Sequence, residues 1–255
     1  MVFPRAKENP LIKAASRGLS RALDTVLPAQ TLLSLDPEDE TAPLWQAVKF
    51  LDEPCCDACG FPFDYAAQAM SLCLRCAAYP PTYDRARSAM AYDDASRQLI
   101  LSFKHGGRTN GLGLFTTQMS RAGRTLLAEA DIIVPVPLHT TRLRRRRYNQ
   151  SAILGRSLAQ MRGLTFDPDS LLRKRATDTQ GGKSAMGRRR NVKGAFHVPD
   201  ARRNYIASKR IVLIDDVMTT GATLEACAKT LKRAGAAHVD GLCLARVVRA
   251  ANLPT

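Results

Sequence analysis

The segment 211–223 constrains the fold of this chain more than any other, and it reads Ile-Val-Leu-Ile-Asp-Asp-Val-Met-Thr-Thr-Gly-Ala-Thr. Its first four residues are apolar and three of them are β-branched, which predicts a buried parallel strand over residues 211–214. A helical pattern begins near Gly221. A strand followed by a short polar turn and a helix is typical of an open α/β sheet.

Two acids and a phosphate-binding pattern follow this strand directly. Asp215 and Asp216 come at its carboxyl end, where ligands bind in open α/β sheets. Residues 219–223 offer backbone N–H groups at a helix N-terminus and three threonine hydroxyls, which are donors that suit a phosphate dianion. The carboxylates suit sugar hydroxyls or a Mg²⁺ ion that bridges to further phosphates. The alternative is a polar turn with a helix cap, although a cap needs only one Ser, Thr or Asp.

The pattern resembles the 5-phosphoribosyl 1-diphosphate (PRPP) motif of type I phosphoribosyltransferases. This resemblance implies that Asp215 and Asp216 are the catalytic acids and bind the 2′ and 3′ hydroxyls of the ribose. It also implies that the segment around the 5′-phosphate consists of Val217, Met218, Thr219, Thr220, Gly221, Ala222 and Thr223.

Length and hydropathy predict one good core with a small accessory module. The chain has 255 residues, of which 45% are hydrophobic. No apolar run reaches the roughly 18 to 20 residues of a membrane span, and the N-terminus lacks a secretory h-region, so a cytoplasmic protein is expected. Residues 11–27 show apolar positions at helical spacing, which predicts a docking helix or, as the alternative, a helix on a membrane surface.

The basic residues are concentrated in one segment. The formal net charge is +15, and residues 142–210 hold 19 Lys and Arg against 4 Asp and Glu, which equals the excess of the whole chain. A polyanion or a phosphate-rich substrate is the expected partner, and a solvated basic surface is the alternative. Few aromatics accompany these charges, which favours contacts with phosphate backbones over contacts with bases. The candidate residues for nucleic-acid binding are Arg145, Arg146, Arg147, Arg188, Arg189 and Arg190.

Four cysteines predict a structural metal site. Their spacing is that of two Cys-x-x-Cys turns separated by thirteen residues, formed by Cys56, Cys59, Cys73 and Cys76. This spacing is typical of a zinc ribbon, and a reducing compartment favours Zn²⁺ over the alternative of two disulfides. A closed four-cysteine site leaves no open position for catalysis, so the expected role is structural. Cys227 and Cys243 fall on apolar stripes and are expected in the core.

From residue 85 onward, strand and helix patterns alternate. Strands are predicted near residues 86–92, 131–136, 211–214 and 239–247, and helices near 97–103, 113–129 and 148–161, with an irregular basic stretch before residue 211. The expected fold class is α/β with a doubly wound, mainly parallel sheet, preceded by a small zinc-ribbon module. Two prolines at 135 and 137 force a turn at a second carboxyl-end edge of the sheet, where a further phosphate could bind.

Several motifs taken together resemble the ComF family of competence-associated, amidophosphoribosyltransferase-like proteins. They are the cysteine module, Phe103-Lys104-His105-Gly106-Gly107-Arg108, Pro135-Val136-Pro137-Leu138 with Arg142-Leu143-Arg144 and Tyr148-Asn149-Gln150, and the stretch from Arg175-x-Thr177-x-x-Gln180 to Gly194-Ala195-Phe196. The resemblance covers roughly residues 45–249. It implies a type I phosphoribosyltransferase fold behind an N-terminal zinc ribbon.

The resemblance also implies site residues and domain bounds. The diphosphate candidates are Pro135, Val136, Pro137, Lys104, Arg142 and Arg144, and the stretch 173–193 is a candidate cover over the site. Family members often carry two ribbons, but this chain lacks the cysteines of the first, so one zinc is expected. The implied bounds are a helical extension with a degenerate first ribbon over residues 1–50, the zinc ribbon over 51–83 and the phosphoribosyltransferase-like domain over 84–249.

The implied function is binding of PRPP or a related ribose phosphate with Mg²⁺, in a protein associated with DNA uptake during natural transformation. A phosphoribosyl transfer would then have an acceptor that the sequence does not identify. The alternative is a non-catalytic module that senses a nucleotide or binds single-stranded DNA, in which the basic segment contacts phosphates. DNA-uptake proteins are further candidate partners.

Overall fold

The computed structural model of the chain describes residues 42–66, 68, 70–105, 111–138, 148–174, 192 and 194–248. The predicted helix over residues 11–27 and the degenerate first ribbon up to residue 41 lie outside this part of the chain. So do Arg142, Arg144 and the six arginines proposed for nucleic-acid binding.

Helices and strands alternate along most of the described chain. The helices are α1 Ala42–Ala47, α2 Leu74–Ala78, α3 Asp94–His105, α4 Leu112–Ala122, α5 Arg124–Glu129, α6 Gln150–Arg162, α7 Asp200–Ile206 and α8 Ala222–Arg233. The strands are β1 Ala86–Ala91, β2 Ile132–Pro135, β3 Thr165–Phe166, β4 Leu172–Arg173, β5 Phe196–His197, β6 Arg210–Met218 and β7 His238–Arg246. No helix among the described residues combines the length and the apolar character needed to cross a membrane.

Five strands form one parallel sheet in the order β1-β7-β6-β2-β3. From β6 the chain continues outward to β7, and from β2 it continues outward to β3 on the other side. The strand order therefore reverses between β6 and β2, and this is the position at which doubly wound sheets bind ligands. The sheet confirms the predicted fold class, and it places the turns after β2 and β6 side by side.

Helices cover both faces of the sheet, and two glycines mark their close approach. A Cβ on Gly241 of β7 would lie 2.7 Å from a side-chain atom of Leu224 in α8. On the other face, a Cβ on Gly123, between α4 and α5, would lie 2.5 Å from a side-chain atom of Leu242. Because successive strand residues point to opposite faces, Gly241 and Leu242 place α8 on one face and the α4–α5 corner on the other.

The β1 edge of the sheet is covered by the chain that precedes the cysteines. The amide of Leu51 donates to the carbonyl of Ala89 (3.0 Å), and the amide of Ala91 donates to the carbonyl of Lys49 (2.8 Å). Trp45 of α1 is buried, and its ring centroid lies 5.0 Å from that of Phe115 in α4. This segment therefore pairs with an edge strand that would otherwise present open hydrogen-bonding groups.

Two stretches that precede β6 differ from the sequence prediction. The single helix predicted over 113–129 is two helices, because the chain turns at Gly123 where the backbone meets Leu242. The stretch before β6 contains regular structure, namely the antiparallel pair β4–β5 and the helix α7. These strands have only two residues each, too short for a periodic pattern to be visible in the sequence.

Candidate functional site

A notch opens in the sheet where β2 ends before β6 does. The last ladder bond on this side joins the amide of Val136 to the carbonyl of Ile214 (2.9 Å). On its other side, β6 stays paired with β7 as far as Met218 opposite Arg246. Pro135 therefore lies inside β2 and does not end the pairing with β6. The pairing ends one residue later, at Val136. Residues 215–218 border the notch.

Asp215 and Asp216 lie within β6 at this notch. The sequence prediction placed them after the strand, but pairing with β7 extends β6 past them. Oδ1 of Asp215 accepts a hydrogen bond from the amide of Asp216 (2.9 Å), and Oδ1 of Asp216 accepts one from the amide of Val217 (2.7 Å). The carboxylates are therefore held against the backbone, half-buried, at the edge that β2 leaves open.

The beginning of α6 connects the two turns at the notch. The side chain of Asn149 caps α6 by accepting from the amide of Ser151 (3.1 Å), and its Nδ2 donates to the carbonyl of Val136 (3.1 Å). Oγ of Ser151 donates to Oδ1 of Asp215 (3.3 Å). Gln150 is buried, and its Nε2 has no hydrogen-bond partner among the residues that the structure describes. An unpaired buried amide donor is costly unless a ligand or water accepts from it.

The turn after β6 leads into α8 without a side-chain cap. We call residues 219–223 the threonine loop. Gly221 occupies the N-cap position with φ +74°, in the left-handed region that favours glycine. Since glycine offers no capping oxygen, the first amides of α8 depend on another acceptor. Oγ1 of Thr220 is buried and has no hydrogen-bond partner within the described part of the chain. An anion at this helix terminus would satisfy both requirements.

The four predicted cysteine ligands converge on one point. One sulfur from each of Cys56, Cys59, Cys73 and Cys76 lies within 4.8 Å of the others, and the sulfurs of Cys59 and Cys73 are 3.8 Å apart. A tetrahedral Zn²⁺ site with Zn–S bonds of about 2.3 Å requires sulfurs about 3.8 Å apart. We call this set the four-cysteine cluster. It is compatible with a metal site, and no disulfide joins any two of the four cysteines in this structure.

The surroundings of the cluster favour thiolate at Cys56. The thiols of Cys59 and Cys76 donate to the Cys56 sulfur and lower its pKa well below the ordinary cysteine value. The amides of Cys73 (3.3 Å) and Cys59 (3.5 Å) also donate to this sulfur. Hydrogen bonds of this kind support a thiolate ligand from outside the coordination sphere. A soft cation that binds thiolates therefore fits the residues present.

The cluster is fixed to the sheet through two backbone contacts. Gly60 has φ +67°, and a Cβ there would lie 2.5 Å from the carbonyl oxygen of Ala86 in β1. The buried guanidinium of Arg246, at the end of β7, donates to the carbonyl of Cys59 (2.5 Å). The first Cys-x-x-Cys turn therefore packs against the start of β1 and is also reached by the side chain of Arg246 from the other end of the neighbouring strand β7.

The diphosphate candidates are described only in part. Pro135 and Val136 pair with Ile214 and Pro137 follows them, so the structure brings the start of this turn next to the two acids. Lys104 belongs to α3, and its side chain lies outside what the structure describes, as do Arg142 and Arg144. Sequence reasoning did not identify Ser151 or Gln150 as site residues. The Tyr148-Asn149-Gln150 motif was the signal, since it marks the start of the helix that meets Asp215.

A groove lies on the solvent side of α8, and we call it the outer groove. It has a volume of about 920 Å³ and lies between α8, α7 and the antiparallel pair β4–β5. Its lining has a positive balance, since Asp200 and Glu225 face the cations Lys174, Arg203, Lys229 and Arg233. Burial and then the charge of Lys174 lower the pKa of His197 in the groove wall, which disfavours protonation of this imidazole.

Comparison with known proteins places the chain in a family. Residues 154–251 match the family model described as phosphoribosyl transferase domain. The DNA utilization protein YhgH of Salmonella typhimurium is 36% identical over 199 residues, which cover 76% of this chain and 84% of that protein. Competence protein F of Haemophilus influenzae is 32% identical over 200 residues, covering 76% and 85%. Competence protein ComFC of Bacillus subtilis is 28% identical over 162 residues, covering 63% of each chain. The chain therefore belongs to the ComF family of phosphoribosyltransferase-like proteins.

Proposed function

We propose that this protein binds PRPP or a closely related ribose phosphate, together with Mg²⁺, at the notch between β2 and β6. The observation that carries the proposal is the uncapped start of α8 directly after two acids at the topological switch point. The threonine loop would hold the 5′-phosphate, and Asp215 and Asp216 would accept from the ribose hydroxyls. The turn 135–137, with Lys104, Arg142 and Arg144, would hold the diphosphate.

The reaction that such a site serves is transfer of the phosphoribosyl group to an acceptor. Mg²⁺ would neutralise charge on the departing diphosphate, and the chain's own groups would position the sugar and exclude competing water. The amide of Gln150 is a candidate donor to the substrate, because its buried Nε2 has no partner within the described chain. Residues 51–83 would form the zinc ribbon, residues 84–249 the transferase-like domain and residues 1–50 an extension.

Calorimetric titration with PRPP, with and without Mg²⁺, tests this proposal. We expect Mg²⁺-dependent binding that weakens by at least about tenfold in Asp215→Asn and in Asp216→Asn, since each loses a charge-assisted hydrogen bond. Asp131→Asn is the matched control, because Asp131 precedes β2 at the opposite end of the sheet. Absence of heat with the wild-type protein, or equal affinity in all three variants, would contradict the proposal. If PRPP binds, release of diphosphate in the presence of candidate acceptors would distinguish an enzyme from a non-catalytic sensor.

We further propose that the four-cysteine cluster holds one structural Zn²⁺. The sulfur separation of 3.8 Å and the amide donors to Cys56 support this assignment. Metal analysis of the purified protein should give one zinc per chain, and Cys76→Ser should lose it together with part of the stability of the fold. A protein that contains no zinc but is fully folded would contradict the assignment.

A role in DNA uptake is proposed from the names of the relatives, and the outer groove supports a second function as a binding surface for single-stranded DNA. Its cations would contact phosphates, and its scarcity of exposed aromatics favours contacts without base preference. Binding of a labelled oligonucleotide, measured by anisotropy, should weaken at least about tenfold in Lys229→Glu with Arg233→Glu and show a steep salt dependence.

Arg124→Glu is the control for charge alone, because Arg124 is an exposed arginine in α5 that does not line the groove. Replacement of Arg188, Arg189 and Arg190 by alanine measures the share of the basic segment. Equal loss in the groove variant and in the control would contradict a localised surface. If the Lys229→Glu with Arg233→Glu variant binds the oligonucleotide as wild type does, and the alanine variant of residues 188–190 binds it weakly, the DNA contact belongs to residues 188–190 instead.

A further inference from the structure

The four-cysteine cluster and the threonine loop are directly connected through Arg75. This residue lies in α2, between Cys73, the N-cap residue of that helix, and the buried Cys76. Its Nη2 donates to the carbonyl oxygen of Thr220 over 2.6 Å, although 145 positions separate the two residues in the chain. A hydrogen bond from a guanidinium to a carbonyl is charge-assisted and short, and it constrains both partners.

The orientation of the Thr220 carbonyl determines what the loop presents to a ligand. In a trans peptide the C=O of one residue and the N–H of the next point in opposite directions. When Arg75 holds the Thr220 carbonyl, the N–H of Gly221 is turned away from α2. That amide belongs to the uncapped start of α8, where an anion would accept from it. Arg75 therefore controls the direction of one donor of the proposed phosphate site.

A second contact controls the only acid in the first turn of α8. Glu225 accepts from the amide of Thr82 (2.8 Å) and from the Thr82 hydroxyl. A carboxylate close to the start of a helix is attracted to the same amides as a phosphate. Thr82, which lies six residues after Cys76, holds this carboxylate and so reduces its competition for those amides.

A third residue, Tyr83, lies next to the loop at Gly221. Tyr83 is buried, and a Cβ at Gly221 would lie 3.4 Å from its hydroxyl and 3.0 Å from the terminal methyl of Met218. Residues 75 and 83 thus lie against the loop and residue 82 binds Glu225 just after it, and all three follow Cys73 within ten residues. The path from the cysteines to the loop is therefore short and consists of hydrogen bonds and buried contacts.

We infer that the four-cysteine cluster positions the ribose-phosphate site, with Arg75 as the positioning residue. Metal bound to Cys73 and Cys76 fixes α2, α2 fixes Arg75, and Arg75 orients the peptide between Thr220 and Gly221. Loss of the metal then loosens the threonine loop even where the sheet stays folded. The inference rests on the proposed function for the identity of the ligand but not for the ordering of the loop.

Hydrogen exchange of the amides in residues 218–225 tests the ordering directly and needs no ligand. In the zinc-loaded protein, Arg75→Met should raise their exchange rate at least about tenfold, because a charge-assisted hydrogen bond is lost while the apolar stem is kept. The amides of β2 serve as the reference for global unfolding and should stay protected. Arg75→Lys, which keeps a donor, should restore part of the protection.

Arg87→Met is the matched control. Arg87 also joins the cysteine module to the sheet, since its Nη1 donates to the carbonyl of Asp57 (2.8 Å), but no hydrogen bond links it to the threonine loop. Zinc content should be unchanged in both variants. Equal exchange of residues 218–225 in the two variants, or a parallel loss of protection in β2, would overturn the inference.

Chelation of zinc from the wild-type protein provides a second arm that needs no substitution. Exchange in residues 218–225 should rise before that in β2, and PRPP affinity should fall by a similar factor in the chelated protein and in Arg75→Met. If the wild-type protein does not bind PRPP, the proposed function fails, and the exchange data still decide the inference. Full protection of the loop after chelation would overturn it.

Discussion

At the residue scale, Gly60 combines two separate requirements for glycine. Its φ of +67° lies in the left-handed region, and a Cβ would lie 2.5 Å from a backbone oxygen of β1 that cannot move away. Gly163, at the end of α6, has nearly the same φ of +65° but open space around the Cβ position. Substitution of Gly163 thus measures the conformational strain alone, whereas substitution of Gly60 measures the strain together with the steric overlap.

We expect Gly163→Ala to lower the free energy of unfolding by about 1 kcal/mol, the cost of placing an L side chain in the left-handed region. Gly60→Ala should cost a further 1 to 3 kcal/mol or so, because the first Cys-x-x-Cys turn must move off β1. Urea unfolding of zinc-loaded protein measures both values. Equal costs for the two substitutions would show that the contact with Ala86 contributes nothing.

At the element scale, the corner between α4 and α5 is set by its contact with β7. Gly123 ends one helix and begins the next, and a Cβ there would overlap the side chain of Leu242, which is fully buried. Leu242 has little freedom to move because protein cores are close-packed. The break in the helix thus reflects packing on the sheet rather than local preference alone.

Gly123→Ala should therefore destabilise the protein by about 1 to 3 kcal/mol through overpacking. Gly113→Ala in the first turn of α4 is the control, since no atom lies within 4 Å of its Cβ position, and it should be neutral or stabilise by up to about 1 kcal/mol. The double variant Gly123→Ala with Leu242→Val should cost less than the sum of the single changes. Strict additivity in thermal or urea unfolding would contradict the proposed contact.

At the scale of the whole molecule, an ion-pair network joins distant parts of the chain at the end of the sheet opposite the notch. The guanidinium of Arg85 pairs with Asp240 and with Glu129 (2.9 Å each), and Glu129 also pairs with Arg210. The hydrogen bond from Arg85 lowers the pKa of Glu129 below its ordinary value of 4.5. The network connects α5, β6, β7 and the residue before β1.

A carboxylate whose pKa is lowered on folding stabilises the folded state above its unfolded value and loses this contribution as pH falls through its folded value. Glu129→Gln should thus cost up to about 1 kcal/mol at pH 7, since the group is largely exposed. The difference from wild type should shrink as pH falls below 4.5, the unfolded value, and vanish once pH is below the lower folded pKa. Unfolding free energies from pH 3 to 7 or so, at low and high salt, measure this effect. A pH-independent difference would rule out the ion pair as its source.

The seven cysteines provide a second test of the whole molecule. Burial raises the pKa of Cys227 and Cys243 well above the ordinary value, and both are fully enclosed. The thiolate is the reactive species, so neither should be alkylated in the folded protein. In zinc-loaded protein, iodoacetamide should modify Cys55 alone, and slowly, because burial raises its pKa as well. After chelation of zinc, mass spectrometry should show that the four cluster cysteines are alkylated as well. Cys227 and Cys243 should be alkylated only after unfolding. Modification of Cys227 before unfolding would contradict the described core.

Some features of the fold and the site could be predicted because they depend on residues that are close in the chain. The strand at 211, the acids that follow it and the two Cys-x-x-Cys turns are local patterns, and strand period and ligand spacing make them visible. The alternation of elements gave the parallel sheet for the same reason. Short elements such as β4 and β5, and the break at Gly123, could not be predicted, since partners far along the chain determine them.

The amino-acid sequence by itself determined that this protein has a phosphoribosyltransferase-like sheet with a four-cysteine module and a basic second half. The tertiary structure alone decided that β6 extends past both acids, because β7 continues the ladder where β2 stops. It also decided that Arg75 meets Thr220 across 145 positions of chain. Periodicity encodes which face of an element is buried, whereas contacts between distant segments depend on how strand ends and turns meet in three dimensions.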